Sequence, residues 1–263
     1  CLSSDSIKEI KLASRFWVGG TGTWDNVTTT NWSGFSGGGG GSSVPGVADT
    51  VTFDAASGGG VITLNYSPSV ISITGGAHTG TFTTANNNLT VQTFSYTGAG
   101  ARTLTLGSST VTVTGNAVSV IDFTTITNLT LNPGTAIFNC TYAGGVGTRT
   151  LVTGTLTEAQ SFNVSVSAGT DALAITAFSV FNSLDLTGYT GTKSNTATTL
   201  YGSYTVTGGT QTAGSNLLTF ASTYTGKTIS SSVTLNFPIT FNGAGGGWKL
   251  LSDLNMSASS FNL

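Results

Sequence analysis

Residues 104–113 read Leu-Thr-Leu-Gly-Ser-Ser-Thr-Val-Thr-Val, two short runs of alternating apolar and small polar residues on either side of a Gly-Ser-Ser turn. Alternation of this kind has the two-residue period of a β-strand that buries one face. The pattern recurs from about residue 50 onward, for example at residues 61–64, 129–131 and 233–235. The predicted strands are very short, and Gly, Asn or Ser separates them. The chain is therefore predicted to be all-β.

The composition is also that of a chain built from strands and turns. Only 7% of the 263 residues are charged, against about 25% in an average soluble protein. Hydrophobic residues make up 38%, which is too many for a charge-rich disordered chain. The β-branched Thr fits a pleated, half-buried surface, and the 37 glycines supply the conformations that tight turns need.

The short runs recur at a larger spacing. Residues 88–91 (Asn-Leu-Thr-Val) and 128–131 (Asn-Leu-Thr-Leu) begin similar units, and residues 102–104 and 149–151 (both Arg-Thr-Leu) follow Gly-rich turns inside them. A coil of about 20 to 25 residues fits these intervals. We therefore predict a parallel β-solenoid, or β-helix, with a β-sandwich as the alternative. The turns are small Thr, Ser, Asn and Gly connections without a strong bias to Asn-Gly hairpins, which favours the solenoid. So does the scarcity of charge, because stacked coils align like residues and like charges repel.

Three segments are predicted along the chain. Residues 1–15 hold five of the 18 charged residues and are interpreted either as a docking segment or as a frayed tail. Residues 16–60 are rich in Trp and Gly and are predicted to form a cap. Residues 61–263 are predicted to be solenoid repeats, and we expect the repeats to continue beyond the given C-terminus because terminal repeats normally end in a polar cap.

The predicted cap contains three of the four tryptophans, Trp17, Trp24 and Trp32. Trp buries a large apolar area, and the end of a solenoid must be closed against edge pairing. These residues are therefore predicted to form the core of the cap. The alternative is an exposed aromatic shelf that binds sugars.

The two cysteines, Cys1 and Cys140, are too few for a disulfide framework. Cys1 is interpreted in two ways: as the lipidated N-terminus of a mature bacterial lipoprotein, or as an arbitrary start within a longer chain. No lipobox or signal peptide stands in the sequence to support the first.

Five stretches carry a family resemblance: residues 15–24 (Arg-Phe-Trp-Val-Gly-Gly-Thr-Gly-Thr-Trp), 31–33 (Asn-Trp-Ser), 49–53 (Asp-Thr-Val-Thr-Phe), 184–191 (Leu-Asp-Leu-Thr-Gly-Tyr-Thr-Gly) and 237–243 (Phe-Pro-Ile-Thr-Phe-Asn-Gly). Together they resemble β-helical structural proteins of tailed bacteriophages and related environmental bacterial sequences. The Trp and Asn-Trp-Ser opening is also similar to the repeat starts of autotransporter-type bacterial surface proteins. The family supplies no agreed catalytic residues, so none are carried over to this chain.

The resemblance implies a non-enzymatic structural or adhesive component of a phage appendage: a tail fibre, a tailspike-like shaft or a head fibre. A bacterial secreted or surface-anchored adhesin or filament subunit is the alternative. The expected location is the virion surface, or alternatively the extracellular space or the bacterial outer surface. The expected partners are other subunits, further copies of the chain (a trimer is predicted) and host surface glycans. The net charge of −2 and the lack of basic clusters argue against nucleic acid, and no apolar run approaches the roughly 20 residues of a membrane span.

A third hypothesis is a glycan depolymerase, because β-helical tailspikes can cleave glycans. That chemistry needs two carboxylates about 5 to 10 Å apart, and the candidates are Asp122, Glu158, Asp171 and Asp185. Nothing in the sequence marks a pair among them, and Asp122 is also interpreted as a turn or cap carboxylate. His78, the only histidine, is predicted to be a solvent-facing turn residue. We therefore predict no catalytic, cofactor-binding or metal-binding residues.

Overall fold

A computed structural model of the chain describes residues 12–176, 178–194, 196–212, 215–257 and 261–262. These residues form a parallel β-solenoid of about 9 turns, which confirms the predicted fold class. Two short 3₁₀ turns, Ala55–Ser57 and Glu158–Gln160, are the only helical elements in this part of the chain. The β-sandwich alternative is wrong, because the strands of successive coils pair parallel to one another and sheets of a sandwich are antiparallel.

Two sheets run along most of the solenoid. Sheet A holds ten strands: β1 Ala13–Trp17, β3 Trp32–Ser33, β4 Asp49–Phe53, β6 Ser72–Gly75, β9 Thr93–Ser95, β12 Ile121–Asp122, β15 Thr148–Val152, β17 Ala172–Ile175, β20 Thr192–Ser194 and β23 Thr210–Gln211. Sheet C holds eight: β8 Leu89–Val91, β11 Thr110–Val113, β14 Ile137–Cys140, β16 Asn163–Val166, β19 Leu184–Leu186, β22 Tyr204–Val206, β25 Lys227–Ser231 and β27 Trp248–Leu250.

Two shorter sheets share the third side. Sheet B holds β2 Gly22–Trp24, β5 Val61–Leu64, β7 Thr81–Thr83, β10 Arg102–Thr105 and β13 Leu129–Asn132. Sheet D holds β18 Ser179–Phe181, β21 Thr198–Leu200, β24 Leu218–Phe220, β26 Ile239–Phe241 and β28 Phe261–Asn262. Each complete coil passes through sheet A, then sheet B or D, then sheet C. The solenoid therefore has three sides, and sheet D replaces sheet B partway along its axis.

The alternating pattern sets which side chains face the interior. In sheet C, Val91, Val113 and Cys140 lie in register and are fully buried. The residues before them, Thr90, Thr112 and Asn139, form an outward row. Burial of apolar area at about 25 cal/mol per Å² stabilises the stack, and the outward positions leave only uncharged polar groups facing the solvent here.

The predicted repeat units do not occupy equivalent places. Residues 88–91 lie at sheet C but 128–131 lie at sheet B, and the two Arg-Thr-Leu runs begin in sheet B at Arg102 and in sheet A at Arg149. The reason is that all three sides use the same alternation, so a short run does not reveal its side. Hydrogen bonds between stacked coils join residues 19, 22 and 27 apart, so the coil length is also less regular than predicted.

The N-terminal end belongs to the same sheets as the rest. β1 pairs parallel with β4, and β2 pairs parallel with β5, so residues 16–60 contribute strands of the solenoid and no break stands at residue 60. β3 pairs antiparallel with β1 and covers that edge of sheet A. Of the predicted docking segment, residues 1–11 lie outside the described residues, and residues 13–15 are part of β1.

Candidate functional site

The three N-terminal tryptophans are core residues. Trp17, Trp24 and Trp32 are fully buried, and the rings of Trp17 and Trp24 each meet Trp32 edge-on with centroids 5.1 Å apart. Such edge-to-face contacts are a favoured geometry of aromatic pairs. None of the three offers an exposed face on which a sugar could stack, so the core interpretation is the correct one.

His78 is not the solvent-facing residue that the sequence predicts, because its side chain is fully buried. Its ring centroid lies 5.9 Å from that of Phe53, and neither ring nitrogen has a hydrogen-bond partner. Burial lowers the pKa of His78, and the neighbouring Gly58 backbone opposes this only in part. The glycines around His78 remove side chains where this segment meets the preceding coil: a Cβ on Gly80 would lie 2.1 Å from the Gly60 carbonyl oxygen. The turn that contains His78 can therefore pack closely against its neighbour, with the His78 ring in the interior.

Two of the four candidate carboxylates cap local turns. Asp122 accepts a hydrogen bond from the backbone N–H of Thr124 at 2.9 Å, as the turn interpretation predicts, and Asp185 accepts one from Thr187 at 2.9 Å. Asp122 lies in sheet A and Asp185 in sheet C, on different sides of the solenoid. The residues stacked directly against both are uncharged: Ser95, Val152, Ser165 and Thr205.

Asp171 forms a buried ion pair. Both of its carboxylate oxygens accept hydrogen bonds from Arg149, from Nε and Nη2, at 2.8 Å each, and both side chains are fully buried. The rings of Tyr142 and Tyr189 lie 5.7 and 5.6 Å from the guanidinium carbon. A bidentate, buried pair of this kind holds the interior of the coil together, and it does not present Asp171 to a ligand.

Lys193 is another cation in the interior. It lies in β20 in register with Leu173 of β17, and its Nζ is 5.0 Å from the centroid of the Phe237 ring. Burial lowers the pKa of Lys193 to about 7. The sequence does not mark this residue, because Thr-Lys-Ser is also a normal outward-facing strand or turn.

The outer surface of sheet B carries two parallel rows of side chains, mostly threonines. Residues two apart on one strand point to the same face, and the register stacks them between coils. One row is 23, 63, 83, 105 and 132, and the other is 61, 81, 103 and 130. Every member is Thr apart from Val61 and Asn132. Sheet B therefore exposes an ordered array of hydroxyl groups without any charge.

Sheet D is preceded by a segment with a different course. Where the next strand of sheet B would follow β13, residues 153–161, here called the strap, form no strand and contain the second 3₁₀ turn. The Thr153 hydroxyl donates to the Val180 carbonyl at 2.8 Å and accepts from the Val180 N–H at 2.7 Å. The Thr153 side chain therefore supplies hydrogen bonds to the Val180 backbone at the edge of sheet D, where a neighbouring strand would otherwise supply them.

Glu158 joins the strap to residues that lie far along the chain. Its carboxylate accepts hydrogen bonds from the hydroxyls of Ser222 at 2.5 Å and Thr223 at 3.1 Å. These residues follow β24, three coils further along the solenoid than the strap. Glu158 is therefore occupied as a tether, and none of the four candidate carboxylates is paired with another.

Two adjoining hollows, here called the cleft, lie beside the strap. The first extends from the strap to the outer face of sheet D, and the second extends from the strap to Thr124, Ile126 and Thr176. Their volumes are about 310 and 430 Å³, and both are lined by Thr155 of the strap and by Phe178. Thr199, Tyr201 and Thr219 complete the wall of the first hollow. No residue that lines either hollow is charged.

Phe178 lines both hollows and has an unusual conformation. Its φ is +63°, in the left-handed region that a bulky residue rarely adopts, and its side chain is 67% exposed. Its backbone N–H donates to the Ala197 carbonyl at 2.9 Å, which fixes the turn into β18. No sequence pattern marks Phe178 or the strap, because both lie in a stretch without strand alternation. The only available signal was that interruption itself.

In the part of the chain that the structure describes, no group of three or more His, Cys, Asp or Glu side chains could hold a metal ion. Within the same ranges, no helix is long and apolar enough to cross a bilayer.

Comparisons with known proteins give no match. No family model, no curated protein and no solved structure is significantly similar to this chain. Any function must therefore be argued from the chain's own residues.

Proposed function

We propose that this chain is a non-enzymatic structural and adhesive component of a phage virion appendage, such as a tail fibre, a tailspike-like shaft or a head fibre. It attaches the particle to glycans of the host surface and is located at the virion surface. The observation that carries the proposal is the uncharged, hydroxyl-rich outer face of a rigid solenoid, best seen in the threonine rows of sheet B. Hydroxyl groups both donate and accept hydrogen bonds, and so do those of sugars.

The positions and partners of the four candidate carboxylates support the non-enzymatic part of this proposal. Glycoside hydrolysis requires two carboxylates flanking one bond. Here Asp122 and Asp185 cap turns on different sides, Asp171 is buried against Arg149, and Glu158 tethers the strap. Each of the four candidates has a structural task, which makes the depolymerase hypothesis the weaker one.

A bacterial surface adhesin or filament subunit is the second candidate, since the same rigid, uncharged face suits attachment between cells. Electron microscopy with a gold-labelled antibody against the chain distinguishes the two. Labelling of the tail or head appendages of purified phage particles is the expected result, and labelling of intact bacterial cells would favour the adhesin. Absence of label from both would contradict the proposal. A neighbouring tail or baseplate gene would be independent support for the phage assignment.

We further propose that the chain acts as a homo-oligomer, a trimer in the simplest case. Weak binding at single sites becomes strong when several copies are joined, because the second contact is intramolecular. Mass measurement in solution on residues 1–263 tests this. A stable monomer with both ends ordered would contradict it.

A further inference from the structure

We infer that the cleft beside the strap is a binding site for a neutral saccharide, with one sugar ring stacked on Phe178. This inference rests on the adhesive function proposed above and identifies the place on the chain where the glycan binds. Three features of the cleft lead to it: a strained aromatic residue, an uncharged lining, and a tethered strap.

The first feature is the combination of strain and exposure at Phe178. A single exposed apolar side chain is common and needs no explanation. A non-glycine residue in the left-handed region is held there only when its surroundings fix it, and such residues cluster at functional sites. Phe178 has this backbone strain, with φ +63°, and yet its ring gains little burial, being 67% exposed. The exposed part of the ring is therefore available for contact with a molecule outside the chain.

The second feature is the chemistry of the walls. Ligand sites combine apolar and aromatic surface with a few polar groups that fix orientation. The first hollow is lined by the Phe178 ring, by Thr155 of the strap, and by Thr199 and Thr219, which are stacked in register on sheet D. Tyr201 adds a second aromatic surface in the same hollow. Hydroxyls beside ring faces match the two surfaces of a pyranose, namely its hydroxyl edge and its C–H face.

The lack of charge in the lining indicates which saccharides bind. A site for uronate, sialate or phosphate groups would be expected to contain Arg or Lys, which pair with such anions. The lining of both hollows contains no charged residue, and the nearest charge described on the strap, Glu158, is turned to Ser222 and Thr223. An anionic sugar would lose hydration without gaining a partner, so the site selects neutral sugars.

The third feature is the tether. The strap is attached at one end through Thr153 to Val180 and further along through Glu158 to Ser222 and Thr223. Because the second attachment spans three coils, Thr155 is held above sheet D between the two attachments. A wall that is fixed before the ligand arrives lowers the ordering cost of binding.

The experiment is a titration of the full chain with maltohexaose and cellohexaose, and with hexagalacturonate as the anionic counterpart, followed by calorimetry and by saturation-transfer NMR. We expect at least one neutral hexasaccharide to bind weakly and hexagalacturonate not to bind. Phe178→Ala should weaken binding at least tenfold, and Phe178→Trp should retain it. Tyr224→Ala is the matched control, because Tyr224 is also an aromatic residue that is 67% exposed, and it should bind as the unmodified chain does.

Phe178→Gly separates a binding role from a folding role. Glycine adopts a positive φ without strain, so this variant should melt at a higher temperature than the Phe178→Ala variant and yet fail to bind the hexasaccharide. If neutral hexasaccharides bind equally well to the chain and to its Phe178→Ala variant, the cleft is not the site, although the adhesive function stands. If only hexagalacturonate binds, or if no hexasaccharide binds, the inference is wrong. In the last case, retention of the assembled chain on host polysaccharide decides separately whether the adhesive function survives.

Discussion

The few charged side chains in the interior are held in three different ways. Arg149 is paired with Asp171. The Arg102 guanidinium donates to the backbone carbonyls of Tyr96, Gly100, Thr125 and Thr127. Lys193 lies over an aromatic ring, and burial lowers its pKa. Burying each of these charged groups costs hydration free energy, and contacts inside the coil must offset that cost.

The Arg149–Asp171 pair can be tested by removing one partner. Asp171→Asn leaves the guanidinium buried without a counter-charge, which typically costs about 3 to 5 kcal/mol. We expect urea denaturation to show a loss of this size. The control is the double variant Arg149→Met with Asp171→Leu, in which neither charge remains and much of the stability should return. Equal stability of Asp171→Asn and the unmodified chain would contradict the burial of this pair.

Lys193 predicts a pH dependence of stability. The lysine is protonated below 10.5 in the unfolded chain and below about 7 in the folded one. Between these values the unfolded state binds more protons, so the free energy of unfolding should increase as the pH rises from 7 to 8.5. Lys193→Met should abolish this increase. Chemical denaturation at both pH values checks the difference, and an identical pH response of the two proteins would show that Lys193 is not buried as described.

The N-terminal end of the solenoid continues the regular sheets, whereas the strap departs from them. The strands β1 and β2 are ordinary members of sheets A and B, and the tryptophans that they carry fill the interior beneath β3. The strap replaces a strand by a tethered segment. The first arrangement closes a hydrophobic core, and the second opens a cleft on a surface.

Trp24 tests the closure of the N-terminal end. Trp24→Ala removes a fully buried ring and should lower the free energy of unfolding by about 3 to 5 kcal/mol. Phe35→Ala is the matched control, because Phe35 is 67% exposed and its removal should have little effect. If Trp24→Ala left thermal stability unchanged and abolished glycan binding, the core assignment would be wrong.

Glu158 tests the tether of the strap. Glu158→Gln weakens charge-assisted hydrogen bonds to Ser222 and Thr223. Because the contact lies near the surface, the expected change in global stability is below about 1 kcal/mol. Amide hydrogen exchange should nevertheless become faster in residues 153–161 and remain unchanged in the neighbouring strands β15 and β17. If the Glu158→Gln substitution changed the exchange rates of residues 153–161, β15 and β17 by the same amount, the strap would not be held by Glu158.

The strands and the strap also differ in how far the sequence predicts them. Runs such as 104–106 and 111–113 alternate, and alternation determines which side chains are buried whichever side of the solenoid the run occupies. It does not determine the side itself, which is why 88–91 and 128–131 were wrongly matched. The orientation of His78 and the course of the strap depend on contacts between coils, and no local pattern encodes such contacts.

For the whole molecule, repetition provides both rigidity and the hydroxyl-rich face that we propose binds glycans. About 9 turns at a strand spacing of about 4.8 Å give a rod roughly 40 Å long. Each coil pairs with two neighbours, so opening one exposes strand edges on both, and local unfolding is therefore costly. A rod of this kind presents its rows of hydroxyls and its cleft in fixed positions, which is what multivalent attachment requires.

The most direct test of the central claim, attachment without catalysis, is an incubation of the assembled chain with purified host surface polysaccharide, in which bound polysaccharide and reducing ends are measured together. We expect retention of the polysaccharide and no increase in reducing ends over time. Steady release of oligosaccharide, lost on changing Asp122 or Asp185 to Asn, would contradict it and establish a depolymerase.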